Sequence, residues 1–114
     1  MARVKGGTTS LKRRRNILKQ VKGYRFGRSK KKREAREAIF HAGSYAFAHR
    51  RDKKADFRRH WQVVINAGVR PYGLSYSKFM GLLKKNNIEL DRKILAGLAQ
   101  ENPETFKRIV EKVS

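Results

Sequence analysis

No Asp or Glu precedes Glu34 in this chain, although Lys and Arg recur throughout that stretch. A segment so one-sided in charge repels itself when compact, so it is expected to fold fully only beside a polyanion. Divided at His60, residues 1–60 carry 21 basic and 4 acidic side chains, net +17. Residues 61–114 carry 9 and 5, net +4. The 114-residue chain, formally +21, therefore reads as a polycation joined to an ordinary small globular domain. Membrane surfaces, acidic proteins and nucleic acid could each supply the counter-charge. Nucleic acid is the best match, because its charge density is greatest and counterion release rewards many basic contacts at once.

Several function classes are excluded or disfavoured. The chain has no cysteine, which rules out disulfides, thiolate metal sites and a Cys nucleophile. No apolar run approaches the roughly 20 residues that span a bilayer, so no membrane partner is expected. No secretory apolar region is visible, and the expected location is cytoplasmic. The Arg-rich, acid-free N-terminus shares its composition with organellar transit peptides, yet the basic character continues far past any plausible cleavage point. His41, His49 and His60 are too scattered to form a ligand set. Gly6-Gly7 is not a phosphate loop, having no strand before it and no Gly-Lys-Ser after it. The chain is not expected to be an enzyme, and no catalytic residue, metal, cofactor or small-molecule substrate is expected.

Residues 61–114 read as a compact domain of short amphipathic helices with legible ends. Trp61, Val64, Ile65, Val69 and Tyr72 fall near helical spacing and stop at Arg70-Pro71-Tyr72-Gly73. Ser75 is a predicted N-cap for a helix burying Tyr76, Phe79, Met80 and Leu83 and ending at Asn86-Asn87. Asp91 caps the next, with Ile94, Leu95 and Leu98 inward. Asn102-Pro103 offers a cap followed by proline at the first helical position, for a helix burying Phe106, Ile109, Val110 and Val113. No alternating run with turn chemistry suggests a hairpin, so the fold class is all-α. About 55 residues make a marginal core, able to fold alone with little stability to spare.

Residues 1–60 read as an arm, a short helix and a long helix. Gly6-Gly7 and Thr8-Thr9 suggest a flexible arm over residues 1–9. A short helix is expected from about Ser10 to Gln20, with Leu11, Ile17, Leu18 and Val21 on its sparse apolar side. Gly23 and Gly27 bracket Tyr24-Arg25-Phe26 and break the chain there. From Ser29 onward no Pro occurs until Pro71, and the only glycines are Gly43 and Gly68 before the stop. One helix of roughly 40 residues, about 60 Å long, follows from that. It has too little apolar surface for a domain of its own, and too few acids for a solvated, salt-bridged face. A helix polar nearly all round lies against something large and charged.

On that helix, Phe47, Arg50, Arg51, Lys54, Phe57, Arg58 and Trp61 project to one side at 100° per residue. Asp52 and Asp56 lie opposite, with Arg59 beside them. The same stripe continues through Ile65, Gly68, Val69 and Tyr72, so one face turns from basic and aromatic to apolar. Trp61 stands at that junction and is left open between core and contact. A second stripe, Ala35, Ala38, Ile39, Ala42, Tyr45 and Ala46, is either a minor packing face or a surface for close approach to nucleic acid.

The densest expected RNA contacts are Lys12, Arg13, Arg14 and Arg15, then Lys19, Lys22, Arg25 and Arg28, then Lys30, Lys31, Lys32 and Arg33. Arg3 and Lys5 in the arm join them. On the long helix, Arg36, Arg50, Arg51, Lys53, Lys54, Arg58 and Arg59 complete the basic set. Guanidinium groups bind phosphate bidentately and stack on bases. Tyr24 and Phe26 are interleaved with them and placed to stack on unpaired bases. A basic–aromatic mixture of this kind fits irregular folded RNA better than duplex DNA.

The start Met1-Ala2-Arg3-Val4-Lys5-Gly6, the Lys22-Gly23-Tyr24 turn and Ala42-Gly43-Ser44-Tyr45-Ala46 resemble ribosomal protein twenty of the bacterial large subunit. So do Phe57-Arg58-Arg59, Trp61 and Ile65-Asn66-Ala67-Gly68. The stretches Gly73-Leu74-Ser75-Tyr76-Ser77-Lys78-Phe79 and Leu90-Asp91-Arg92-Lys93-Ile94-Leu95-Ala96 are the most specific, and the resemblance covers essentially the whole chain. It implies a basic helical extension threaded through large-subunit ribosomal RNA and a small all-α C-terminal domain. It also implies a role early in subunit assembly, none in peptide-bond formation, and contacts with neighbouring proteins, notably protein twenty-one. The implied setting is a cytoplasmic bacterial ribosome or a plastid one. The resemblance also implies that some members bind the messenger encoding them and repress its translation; the alternative function for this chain is such a repressor, using the C-terminal domain on a messenger leader. The chain departs from the family at Val64 and Ala55, where members usually carry basic residues, so no RNA contact is carried over there.

Overall fold

The computed structural model describes residues 1–3 and 6–114. Among them every regular element is helical: α1 (Gly7–Gln20), a 3₁₀ turn (Phe26–Ser29), α2 (Lys32–Val69), a second 3₁₀ turn (Arg70–Tyr72), α3 (Tyr76–Lys85), α4 (Arg92–Glu101) and α5 (Pro103–Val113). The fold is all-α, as the sequence predicts. The chain divides into two compact units, Met1–Arg50 and Arg51–Ser114.

In the C-terminal unit the core consists of Ile65 and Val69 from α2, Phe79 and Leu83 from α3, Leu95 and Ala96 from α4, and Phe106, Val110 and Val113 from α5. Helix α5 packs on both α3 and α4. The rings of Phe79 and Phe106 meet at 5.8 Å, tilted by 55°, a favourable edge-to-face contact. Gly68 lets α5 come close: a Cβ there would stand 3.0 Å from Phe106 Cε1 and 3.4 Å from the Ala99 methyl. Trp61, Val64, Met80, Leu90 and Leu98 pack around this centre.

Short-range polar contacts set the helix ends. The backbone N–H of Ile94 donates to Asp91 Oδ1 at 2.7 Å, and that of Lys78 to Ser75 Oγ at 3.4 Å, so both predicted caps are present. Helix α3 closes with Asn87 left-handed at φ 54°, Ile88 N–H donating to Leu83 O and Asn87 N–H to Lys84 O. That is the paired-bond stop in which Asn substitutes for Gly. Asn66 Oδ1 accepts from Tyr76 N–H at 3.2 Å, and Arg92 Nε donates to Tyr76 Oη at 2.6 Å, which ties α2, α3 and α4 together.

Several expectations differ from the structure. Tyr72 is 41% exposed, because it lies in a 3₁₀ turn whose 120° step rotates it off the α-helical stripe. Ile94 is 49% exposed: its neighbour Leu95 occupies the buried face of α4, and adjacent helical positions point about 100° apart. Asn102 precedes Pro103 but makes no side-chain cap; it also ends α4, and its φ of −133° and ψ of 68° serve that junction. Helix α1 starts at Gly7, so Gly7, Thr8 and Thr9 belong to a helix and not to an arm.

The N-terminal unit holds little apolar material. Val21 and Ala35 are fully buried, and Ile17, Leu18, Ala38 and Ile39 are half-buried. Leu11, expected on the apolar side of α1, is 53% exposed. The alanine stripe of α2 divides accordingly. Its first turn packs, whereas Ala42, Tyr45 and Ala46 are exposed.

Candidate nucleic-acid interface

The turn between α1 and α2 concentrates basic and aromatic groups on a strained backbone. Arg25 is extended, and Phe26 follows at φ 59°, a left-handed conformation that costs a bulky L-residue about 1–2 kcal/mol. The ring recovers none of this through burial, since it is 89% exposed. Local hydrogen bonds hold the shape instead. Lys30 and Lys31 N–H donate to Gly27 O at 3.2 and 2.7 Å, and Ser29 Oγ donates to Phe26 O at 3.0 Å. Arg14 Nη2 donates to Lys30 O at 2.9 Å, so one predicted phosphate ligand also braces this turn from α1. Strain of this kind concentrates where a side chain is presented for use.

Lys12, Arg13, Arg15 and Lys19 lie exposed on α1, and Lys22 follows it. Arg25, Arg28 and Lys30 are exposed about the 3₁₀ turn, as are Lys31, Lys32, Arg33 and Arg36 at the start of α2. Tyr24 is 37% exposed. Arg3 is exposed ahead of α1, while Lys5 lies outside the described residues. Lys31 meets Glu34 at 3.8 Å, a solvent-facing pair that neutralises little.

Along α2, every residue from 40 to 60 is exposed. That stretch contains Arg50, Arg51, Lys53, Lys54, Arg58 and Arg59, the remaining predicted contacts. Arg59 bonds Asp56 at 2.9 Å on the acidic side of the helix. Large aromatic rings share the exposure: Phe40 and Phe47 at 63% and Phe57 at 49%. Arg36 lies over the Phe40 ring at 5.5 Å and Arg50 over Phe47 at 5.7 Å. Cation–π contact of this kind keeps guanidinium and ring together as one stacking surface. Phe57 leans on Trp61 at 6.2 Å, and Trp61, left open by the sequence, packs against the C-terminal core.

Two features escaped sequence reasoning. Phe40 continues the basic–aromatic face one turn before Gly43, a position legible from its spacing of seven to Phe47. His41, Tyr45 and His49 form a ladder, with ring centroids 6.5 and 6.2 Å apart; their spacing of four was the available signal. Among the described residues no group of His, Asp and Glu could hold a metal ion, and no helix is long and apolar enough to cross a membrane.

Comparison with known proteins fits this arrangement. The family model described as "Ribosomal protein L20" matches residues 3–109. The chain is 51% identical over 111 residues to the large ribosomal subunit protein bL20 of Roseiflexus sp. (strain RS-1), covering 97% of this chain and 95% of that one. It is 50% identical over 111 residues to the bL20 of Chloroflexus aggregans, covering 97% and 93%. To the bL20 of Marinobacter nauticus it is 48% identical over 112 residues, covering 98% and 96%. Matches of that extent span both units, and the chain therefore belongs to the ribosomal protein L20 family, a structural and non-enzymatic constituent of the large ribosomal subunit.

Proposed function

We propose that the chain binds large-subunit ribosomal RNA directly, supports early assembly of the subunit in a cytoplasmic ribosome and takes no part in peptidyl transfer. The observation that carries this reading is the stretch of α2 from 40 to 60, exposed at every position and rich in basic and aromatic side chains. A helix that is solvent-exposed and largely basic and aromatic along such a length is suited to a polyanionic surface with unpaired bases. The basic set of the N-terminal unit supplies phosphate ligands, and the exposed Phe26 ring supplies a stacking surface. Other large-subunit proteins, protein twenty-one among them, are the protein partners this reading expects. No feature of the C-terminal unit favours a messenger-leader repressor.

The test is the salt dependence of binding to a large-subunit ribosomal RNA transcript. Replacing Lys12, Arg13 and Arg15 by Gln, with the bracing Arg14 retained, should shallow the log–log slope by about 2–3. Circular dichroism should be unchanged. An unaltered slope would remove these groups from the interface, and salt-independent affinity would overturn the reading as a whole.

A further inference from the structure

Residues 1–50 contain 16 basic and 2 acidic side chains, and both acids, Glu34 and Glu37, line one open groove of about 710 Å³. The groove runs between the turn residues Tyr24 and Arg28 and the first turns of α2, where His41 and Tyr45 complete its walls. Carboxylates repel phosphate, so the groove does not serve the function of the basic surface around it. Its chemistry selects a different part of a nucleotide.

Glu34 is partly committed. It pairs with Lys31, and its carboxylate lies over Gly27, in the space a Cβ there would need. Glu37 has no hydrogen-bond or ion-pair partner among the described residues. Around it are flat π-surfaces: Tyr45 is 62% exposed and stacks on His41 at an interplanar angle of 27°, and Tyr24 faces the groove from the turn. Arg28 places a cation at the same site. The groove therefore suits a planar group that donates N–H bonds and is joined to a phosphate.

We propose that this groove receives an unpaired guanine, with Glu37 accepting from its N1–H and N2–H groups. This assignment rests on the ribosomal-RNA reading. Guanine alone among the four bases presents two adjacent N–H donors on its Watson–Crick edge, matched to the two oxygens of one carboxylate. Adenine and cytosine place an acceptor beside their amine, and uracil flanks its single N–H with carbonyls. The ring stacks on the tyrosines, as unpaired RNA bases do on aromatic side chains. Arg28 meets the adjoining phosphate. A cationic protein side chain also offers N–H donors, but it would approach a unit of net +14, whereas guanine arrives on a polyanion.

The test uses the full chain and nine-nucleotide uridine oligomers, either unbroken or with one central guanosine, adenosine or cytidine, followed by fluorescence anisotropy at low salt. The guanosine oligomer should bind about tenfold tighter than the other three, within the range of one bidentate base contact. Glu37→Gln should erase that preference while leaving affinity for the unbroken oligomer within about twofold, since it touches no phosphate ligand. Equal binding of all four oligomers overturns the guanine site and leaves the carboxylates to a cationic protein partner. A preference that survives Glu37→Gln overturns it too. Failure of every oligomer to bind would defeat the phosphate reading and this site together, a result distinct from equal binding.

Discussion

The two units stabilise their helices by opposite means. In the C-terminal unit, nine buried side chains from four helices enclose one another, and caps close the ends of α3 and α4. In the N-terminal unit only Val21 and Ala35 are fully buried among the described residues, although its helices are as regular. Isolated helices are marginal in water, and most helical stability comes from tertiary packing. The comparison shows that regular secondary structure alone says little about where free energy is stored. The first unit has the form of a surface awaiting a ligand, and the second has the form of a domain.

The most severe way to probe this contrast is to damage the core. Phe106→Ala removes the ring that meets Phe79 and covers Gly68, and should destabilise the C-terminal unit by about 3–5 kcal/mol. Thermal denaturation followed by circular dichroism measures it. A loss below about 1 kcal/mol would mean that the core does not carry the unit's stability. Amide exchange on the free protein sharpens the same comparison without mutation. Amides at positions 40–60 should exchange about a hundredfold faster than those of α4 and α5, because the side chains along this stretch are exposed and bury no core. Equal protection would show that the exposed helix is stabilised by something other than packing.

The smallest effect tests the turn. Phe26→Gly removes left-handed strain but adds chain entropy, so stability should change by less than about 1 kcal/mol. Affinity for ribosomal RNA should nevertheless fall by about 1 kcal/mol or more if the ring stacks on a base. Undiminished binding would show that the strained ring has another purpose.

Much of this fold is legible in the sequence, for identifiable reasons. Ser75, Asp91 and the Asn86-Asn87 stop act through bonds within a few residues, so local spacing suffices to find them. Ile94 and Tyr72 are exposed against expectation because apolar character does not specify direction. Only the position of neighbouring helices decides which of two adjacent residues is covered. Phe26 could be read as an aromatic among cations, but its left-handed backbone depends on hydrogen bonds to Gly27 and on Arg14 sixteen residues before Lys30. The basic set is visible as composition. The gathering of Glu34, Glu37, Tyr24 and Tyr45 about one groove is not, since it requires the turn to fold back beside α2.

The position of the core within the chain has a consequence for biosynthesis. Ile65, the first residue of that core, is translated after the whole exposed stretch from 40 to 60. Domains fold as units while synthesis proceeds from the N-terminus. For an interval the nascent chain therefore displays its polycation before it possesses any segment able to form a core. During that interval the chain has only the small buried contacts of its N-terminal unit, Val21 and Ala35, to order it, so on the ribosomal-RNA reading proposed above a neighbouring RNA would have the first opportunity to shape the rest.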